Sequence, residues 1–330
     1  MALRDSLCGI VCCLAVFVAA RDVSAVVLLH DQFFEDGILA GKTPMPGPGA
    51  AWNPGSATGV NAVTVVNGEA VLIQTDAGVN GEDIANVFAD QSATATTYAR
   101  FDFRLPAAEN ATVATDPDVT GEGVFFVTLR GTSASTSQRA RVGVLGPAGS
   151  GDFRLAINAD NSNIGAGGIW PSDLAFDTTY RAVISFDASL AESKLWIDPV
   201  DETSASVSHT GASTSIGTII NRIILRQADD YAGKQFVDNV VVATTFAEAL
   251  NGGVTGNGDF NGDGFVDAAD YVVWRKNDGS QDGYNEWLAN FGSVAGSGSV
   301  AVAGVPEPAS ALLLMVSVGL LSGMRRVVRT

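Results

Sequence analysis

Tyr98-Ala99-Arg100-Phe101-Asp102-Phe103-Arg104-Leu105 alternates apolar and charged side chains without a break. In an extended chain successive side chains point to opposite faces, so Ala99, Phe101, Phe103 and Leu105 share one face and Arg100, Asp102 and Arg104 the other. A period of two suits a half-buried strand and no helix. Working outward, residues 26–29, 60–66, 70–74, 123–130, 139–145, 153–157, 180–186, 194–197, 219–225 and 236–242 are alternating or continuously apolar. Clusters of Gly, Asn, Asp and Ser separate them, and no segment of 26–250 reads as a long amphipathic helix. Many short strands with turn signals predict a mainly β protein, a β-sandwich.

The chain has 330 residues, room for one large domain with appendages or for two ordinary domains. Its 19 Lys+Arg stand against 36 Asp+Glu, a net charge of −17 that a phosphate backbone repels, so no nucleic-acid partner is expected. Hydrophobic residues make up 46%, enough for a sizeable core and against disorder throughout. All three cysteines, Cys8, Cys12 and Cys13, lie in what reads as a signal peptide: Arg4, then an apolar run over 7–20. Cleavage after Val23-Ser24-Ala25, or at Ala20, leaves a mature chain without cysteine. Such an exported chain draws its stability from a large core or from metal. A lipoprotein cleavage site would need a small residue before the modified cysteine, and Val11 and Cys12 do not provide it. A buried N-terminal helix is the alternative.

At the other end, residues 309–324 carry no charge and are followed by Arg325, Arg326 and Arg329. Sixteen helical residues reach about 24 Å, short of the roughly 30 Å of a hydrocarbon core. Basic residues behind the stretch suit a membrane stop with its tail in the cytoplasm. Pro306-Glu307-Pro308 stands just before it. This order of motif, apolar segment and arginines resembles the PEP-CTERM sorting signal of Gram-negative bacteria. The resemblance implies processing by an exosortase and delivery to the envelope or the extracellular matrix. An uncleaved tail anchor is the alternative, and either places residues 26–305 outside the cytoplasm.

Three stretches resemble concanavalin-A-like and laminin-G-like jelly rolls. Phe33-Phe34-Glu35-Asp36-Gly37 is similar to their opening segment. Residues 176–187 running on to Lys194-Leu195-Trp196-Ile197-Asp198-Pro199 are similar to one of their hairpins, and Gln235-Phe236-Val237-Asp238-Asn239-Val240-Val241-Val242 to their closing strand. Such modules often tie first and last strands with a structural calcium, which places Glu35 and Asp238 as its ligands. The alternation predicts Asp238 on the inward face with Phe236, Val240 and Val242; a hydrogen bond from Asn239 or Arg222 is the alternative to an ion.

The signs of catalysis are few. His30 ends the first strand beside Asp31, and His209 lies in a Ser/Thr loop. No Gly-x-Ser-x-Gly elbow exists. The nearest approach to the acidic pair of a jelly-roll glycosidase is Glu82-Asp83, in a Gly/Asn loop and lacking the third member. No catalytic residue is assigned. Carbohydrate binding needs exposed aromatic platforms. Trp170, between Gly167-Gly168 and Pro171, is the candidate, with a loop-burying role as the alternative; Trp196 reads as core.

Asp259-Phe260-Asn261-Gly262-Asp263-Gly264-Phe265-Val266-Asp267-Ala268-Ala269-Asp270 sets oxygen side chains at positions 1, 3, 5, 9 and 12 with glycine at 6 and an apolar residue at 8. This is the spacing of an EF-hand calcium loop. Asp259, Asn261 and Asp263, the carbonyl of Phe265, Asp267 directly or through water, and Asp270 are the expected ligands. Four carboxylates this close repel unless a cation compensates them; a metal-free Asp/Gly turn is the alternative. With Tyr271-Val272-Val273-Trp274-Arg275-Lys276, the stretch resembles a dockerin type I repeat. Tyr271, Trp274, Asn277 and Gly279 recur thirteen residues on as Tyr284, Trp287, Asn290 and Gly292, without a second loop. One calcium and two short helices packed through Trp274 and Trp287 are expected. The dockerin resemblance implies a cohesin-like partner, although the lost loop points equally to an intramolecular or surface clip.

The expected order is a signal peptide (1–25), a jelly-roll β-sandwich (26–250), an α-helical dockerin-like module (256–292), a Gly/Ser linker (293–304) and the sorting tail (305–330), the two ends being hydrophobic signal helices. The leading expectation is an exported, non-enzymatic binding or structural protein of the cell surface, set among polysaccharide-handling proteins. A secreted glycan-active hydrolase or lyase is its rival.

Overall fold

The computed structural model describes residues 26–75, 78, 81–116, 118–119, 123–131, 138–228, 231–252, 258–260, 266–277 and 281–292. The stretches expected to be signal peptide, linker and sorting tail, and residues 261–265 of the expected calcium loop, lie outside them. In chain order the strands are β1 (Val27–Asp31), β2 (Gly37–Ile38), β3 (Asn53–Ser56), β4 (Thr64–Val66), β5 (Glu69–Gln74), β6 (Asp83–Val87), β7 (Thr96–Arg104) and β8 (Val124–Gly131). Then follow β9 (Gln138–Leu145), β10 (Arg154–Asn158), β11 (Gly168–Ile169), β12 (Tyr180–Asp187), β13 (Glu192–Ile197), β14 (Ser206–Thr210), β15 (Ile220–Leu225) and β16 (Gly233–Ala243). The helices are α1 (Phe246–Asn251), α2 (Ala268–Asn277) and α3 (Gln281–Asn290).

The strands form two antiparallel sheets. One runs β14-β13-β12-β7-β16-β5-β4-β2, with β1 beside the far half of β16; the other runs β11-β10-β9-β8-β15-β6-β3. The first and last strands therefore pair. All eleven expected strands are present. The five others, β2, β3, β6, β11 and β14, are short or polar, and four of them close sheet edges, where pairing on one side only asks less apolar surface of the sequence. His209 thus sits in β14 rather than in a loop, and Asp83 opens β6.

The alternation of β7 becomes the inside and outside of the sandwich. Ala99, Phe101, Phe103 and Leu105 are at most 1% exposed and face the second sheet, whose Phe126 meets Phe101 and Phe103 at ring separations of 6.1 and 6.2 Å. Val142, Val144, Leu155, Ile157, Ile223 and Leu225 complete that core from the other side. Local chemistry sets the turns. Asn67 and Gly68, both at positive φ, join β4 to β5 as a tight hairpin that only such residues accept readily. Between β12 and β13 the Asp187 carboxylate accepts the amides of Ser189 and Leu190 at 2.8 and 3.1 Å.

A second, smaller core lies outside the nine-stranded sheet. Phe246 and Leu250 of α1 pack on Val183 and Trp196, with Tyr98 beside them. Thr245 caps the helix by accepting the Glu248 amide, and Gly252, in the left-handed region, ends it. Trp196 is buried as expected, but against this helix and not between the sheets. Among the described residues no helix is long and apolar enough to cross a membrane.

Candidate functional site

In the small module, α2 starts on reciprocal hydrogen bonds. Asp267 accepts the Ala269 amide at 2.7 Å, and Asp270 reaches back to accept the Asp267 amide at 2.7 Å. This is a capping box with aspartate at its third position. The repeated Tyr/Trp motifs do form two helices. Tyr271, Trp274, Tyr284 and Trp287 build one ring cluster, with Tyr271–Trp287 at 5.1 Å and Trp274–Tyr284 at 5.4 Å, and Trp287 Nε1 donates to the Asp267 carbonyl at 2.7 Å. The clamp holds the end of the loop against the second helix. Asp259 and Asp270, positions 1 and 12 of the loop, are both buried, at 1% and 0% exposure, while Asp267 is exposed. Asn261, Asp263 and Phe265 lie outside the described residues. Among the described residues no three His, Cys, Asp or Glu side chains converge on a point that could hold an ion. Two loop ends turned inward fit a hard cation, which takes oxygen ligands and offsets the cost of burying carboxylates.

Glu35 and Asp238 each have their own partners. The Glu35 side chain is 69% exposed, with Lys42 Nζ at 3.8 Å. That ammonium also donates to the carbonyls of Glu35 and Asp36 at 2.5 and 2.7 Å. Asp238 does share a face with Phe236, but that face is the outer one. A bulge at Asn239, φ +51°, sets two residues of β16 against one of β7 and shifts the phase, so that Val237, Val240 and Val242 point inward instead. The regular alternation assumed from sequence breaks at this one residue. Arg222 belongs to the other sheet and bonds Asn221, leaving Asn239 as the neighbour that satisfies Asp238.

Asp238 lies directly across from Asp102 of β7. The Asn239 amide nitrogen donates to Asp102 at 2.8 Å and to Asp238 at 3.1 Å, and its backbone N–H donates to Asp238 at 2.6 Å. Arg181 Nε donates to Asp102 at 3.0 Å. Burial first, then the charges of Asp102 and Glu69, push the Asp238 carboxyl up to about 7, with the Asn239 amide and Arg100 opposing. Beside the pair is a groove of about 290 Å³ lined by Asp102, Thr179, Tyr180, Arg181, Asp198 and Pro199. Nothing along the chain marks this pairing, since Asp102 and Asn239 are 137 residues apart; the non-glycine bulge residue that creates it has no marker of its own in the pattern.

A carboxyl whose folded pKa exceeds its unfolded value binds an extra proton in the native state. Its contribution is fully present below the ordinary value near 3.8 and is lost as pH rises through about 7. Asp238→Asn is therefore expected to raise the melting temperature at pH 8 and to raise it by well under half as much at pH 5, where only part of that loss has occurred. Thermal melts at both pH values check this; an equal shift at both would mean that Asp238 does not titrate in that range. Comparison with wild type is essential because His30, brought down to about 4 by burial and then by Arg100, acts with the opposite sign, its stability being lost as pH falls from 6.5 towards 4.

Trp170 is half-buried and packed against the main core, so the loop-burying role fits it better than that of a free platform. Glu82 is buried and accepts the Gly59 amide at 2.8 Å, while Asp83 accepts from Ser56 and from the Gln227 amide, so the two act separately. His209 Nδ1 accepts the Ala159 amide at 3.1 Å.

Comparison with protein-family models gives no match, and comparison with curated proteins gives none either. Among solved structures the chain is similar to a peanut lectin bound to a nonapeptide, at 10% identity and a TM-score of 0.39, over 67% of this chain and 97% of that one. It is similar to a structure described as "Prominent members of the human gut microbiota express endo-acting O-glycanases to initiate mucin breakdown", at 15% identity and a TM-score of 0.41, over 66% and 99%. It is also similar to a sialidase, at 12% identity and a TM-score of 0.36, over 60% of this chain but only 17% of the sialidase's length.

Proposed function

We propose that the chain is an exported cell-surface or matrix protein whose jelly-roll β-sandwich is a non-catalytic carbohydrate-binding module, carried beside a calcium-binding dockerin-like unit. The observation that carries the calcium part is the burial of Asp259 and Asp270 at the two ends of the loop, in a module whose two helices are joined by a ring cluster. Asp259, Asn261, Asp263, the Phe265 carbonyl, Asp267 and Asp270 would hold the ion. The calcium supplies positive charge that lets the loop's carboxylates come together. A polysaccharide ligand follows from the dockerin resemblance and from the sandwich. Export, exosortase processing and surface retention follow from the two terminal signals, and a cohesin-like or other surface protein is the partner such a unit would dock.

One observation favours a second reading, a glycan-active hydrolase. Two carboxylates face each other across β7 and β16, one accepting a hydrogen bond from Arg181 and the other with its pKa pushed up to about 7, the range that acid–base chemistry uses. Incubating the mature protein with a panel of insoluble polysaccharides separates the two. Retention on at least one of them with no release of reducing ends is the expected result. Release that disappears in Asp238→Asn would establish the hydrolase, and retention on none would dismiss carbohydrate binding.

A further inference from the structure

On the outer face of the nine-stranded sheet, α1 covers Val183 of β12 and Trp196 of β13. Arg181 stands two residues before Val183 on the same face, with its side chain 42% exposed, and lines the groove beside Asp102. The strand ladder fixes it there. Arg181 is in register with Asp102 of β7, its N–H donates to Asp198 Oδ1 at 2.8 Å, and its carbonyl accepts the Asp198 N–H at 2.8 Å. Its Nε donates to Asp102 Oδ1 at 3.0 Å, while Asn239 holds the other oxygen of Asp102 at 2.8 Å. Side by side across β7, β12 and the end of β13, the groove therefore presents an acceptor, a donor and an acceptor: Asp102, Arg181 and Asp198.

The charge of Arg181 is matched by Asp102; what the groove holds in reserve is hydrogen-bonding capacity. Among the described residues neither terminal nitrogen of Arg181 has a protein partner, and neither has Asp198 Oδ2. Each oxygen of Asp102 accepts one of these bonds and has a second lone pair to offer. Tyr180 also lines the groove, but its ring is stacked on Phe103 and its hydroxyl accepts the Ala175 amide, so recognition falls to the charged groups. The volume, about 290 Å³, is close to that of the smallest ligand pockets, about 300 Å³. A hydroxyl both donates and accepts, so two neighbouring hydroxyls of a sugar ring answer this order of groups. Two carboxylates to one guanidinium, with Asp238 directly across from Asp102, disfavour an acidic sugar. They do not make a cation site, since a guanidinium stands between them and no three acids converge among the described residues.

We propose that the groove of Asp102, Arg181 and Asp198 binds a neutral polysaccharide by a pair of adjacent ring hydroxyls, the two carboxylates accepting from them and the terminal nitrogens of Arg181 donating to them. Hydrogen bonds in which one partner is ionised are the stronger kind, and groups already fixed by the protein lose little freedom on binding. The inference rests on the carbohydrate-binding reading and gives it a site and a ligand class.

The test uses the full mature protein in affinity electrophoresis through gels containing galactomannan, xyloglucan, dextran or polygalacturonate. Retardation by at least one neutral polysaccharide and none by polygalacturonate is the expected result. Periodate cleaves the bond between carbons that bear adjacent hydroxyls, so oxidising the retarding polysaccharide and reducing the aldehydes with borohydride should abolish the effect. Asp198→Asn should weaken binding about tenfold with an unchanged melting temperature. Asparagine keeps the oxygen that accepts the Arg181 N–H and tolerates the left-handed φ of +47°, but turns the second acceptor into a donor. Arg181→Lys keeps a positive charge beside Asp102, loses the fork and should weaken binding about as much. Undiminished retardation of both variants overturns the groove as the site. Retardation that survives periodate, or that polygalacturonate alone produces, overturns the ligand class; all three results leave carbohydrate binding standing. No retardation in any gel overturns this proposal, and carbohydrate binding falls with it only where the insoluble polysaccharides also retain nothing.

Discussion

Asp270→Ala is expected to abolish calcium binding by the mature protein, which isothermal titration should otherwise read as a single site. Position 12 closes the shell, and no neighbouring oxygen in the loop pattern substitutes for it. The side chain is fully buried and also accepts the Asp267 amide at 2.7 Å, so alanine removes a ligand and a cap together. The cap alone is worth about 1 kcal/mol. Calcium at a hundred times its dissociation constant adds about 2.7 kcal/mol to the stability of whatever binds it. Losing both should loosen the cluster of Tyr271, Trp274, Tyr284 and Trp287, and tryptophan fluorescence should stop responding to a chelator. Asp270→Asn separates the two roles, since it keeps the acceptor for the cap and loses the charge. Two sites in the wild type would contradict the one-loop reading, and undiminished heat in the alanine variant would remove Asp270 from the shell.

The second large effect is expected at the opening of the sandwich. Asp31 is 3% exposed and accepts Trp52 Nε1 at 2.6 Å, the Phe33 amide at 2.9 Å and the Met45 amide at 3.4 Å. Trp52 is itself completely buried, its ring 5.8 Å from that of Phe33. Asp31→Ala leaves these donors without their acceptor inside the protein, at about 1–3 kcal/mol for each buried orphan. Burial holds the Asp31 carboxyl above its ordinary range, against the hydrogen bonds, so part of the gain is already offset in the native protein. A net loss of about 3 kcal/mol is expected, a fall in melting temperature of roughly 6–12 °C for a domain of this size. Adding Trp52→Phe should recover part of it by removing one orphan. Calorimetry of the two single variants and the double checks this: strictly additive losses would mean that the indole–carboxylate bond is not the source.

Much of this was legible along the chain. Ala99, Phe101, Phe103 and Leu105 carry their alternation into the core unchanged, and the apolar run of β8 is buried almost throughout. The Tyr/Trp echo marks two helices and the face through which their rings meet. Strands such as β3, reading Asn53-Pro54-Gly55-Ser56, were not legible, because their place at a sheet edge is settled by a neighbouring strand and not by their own side chains. Trp170 could be read either way from its loop, and its packing against the main core is a contact its own stretch of chain does not show.

Eleven of the strands, the apolar side of each regular one, and the spacing that suits calcium were readable from the chain alone, since period and spacing are local properties. Tertiary structure alone decided which charged residues meet. Asp238 was turned outward by one residue in the left-handed region, and it meets Asp102 because β7 and β16 lie side by side. Arg181 meets Asp102 because β12 and β7 do. Strand order in a sheet is set by the burial of every apolar face at once, and no single stretch of chain carries that information.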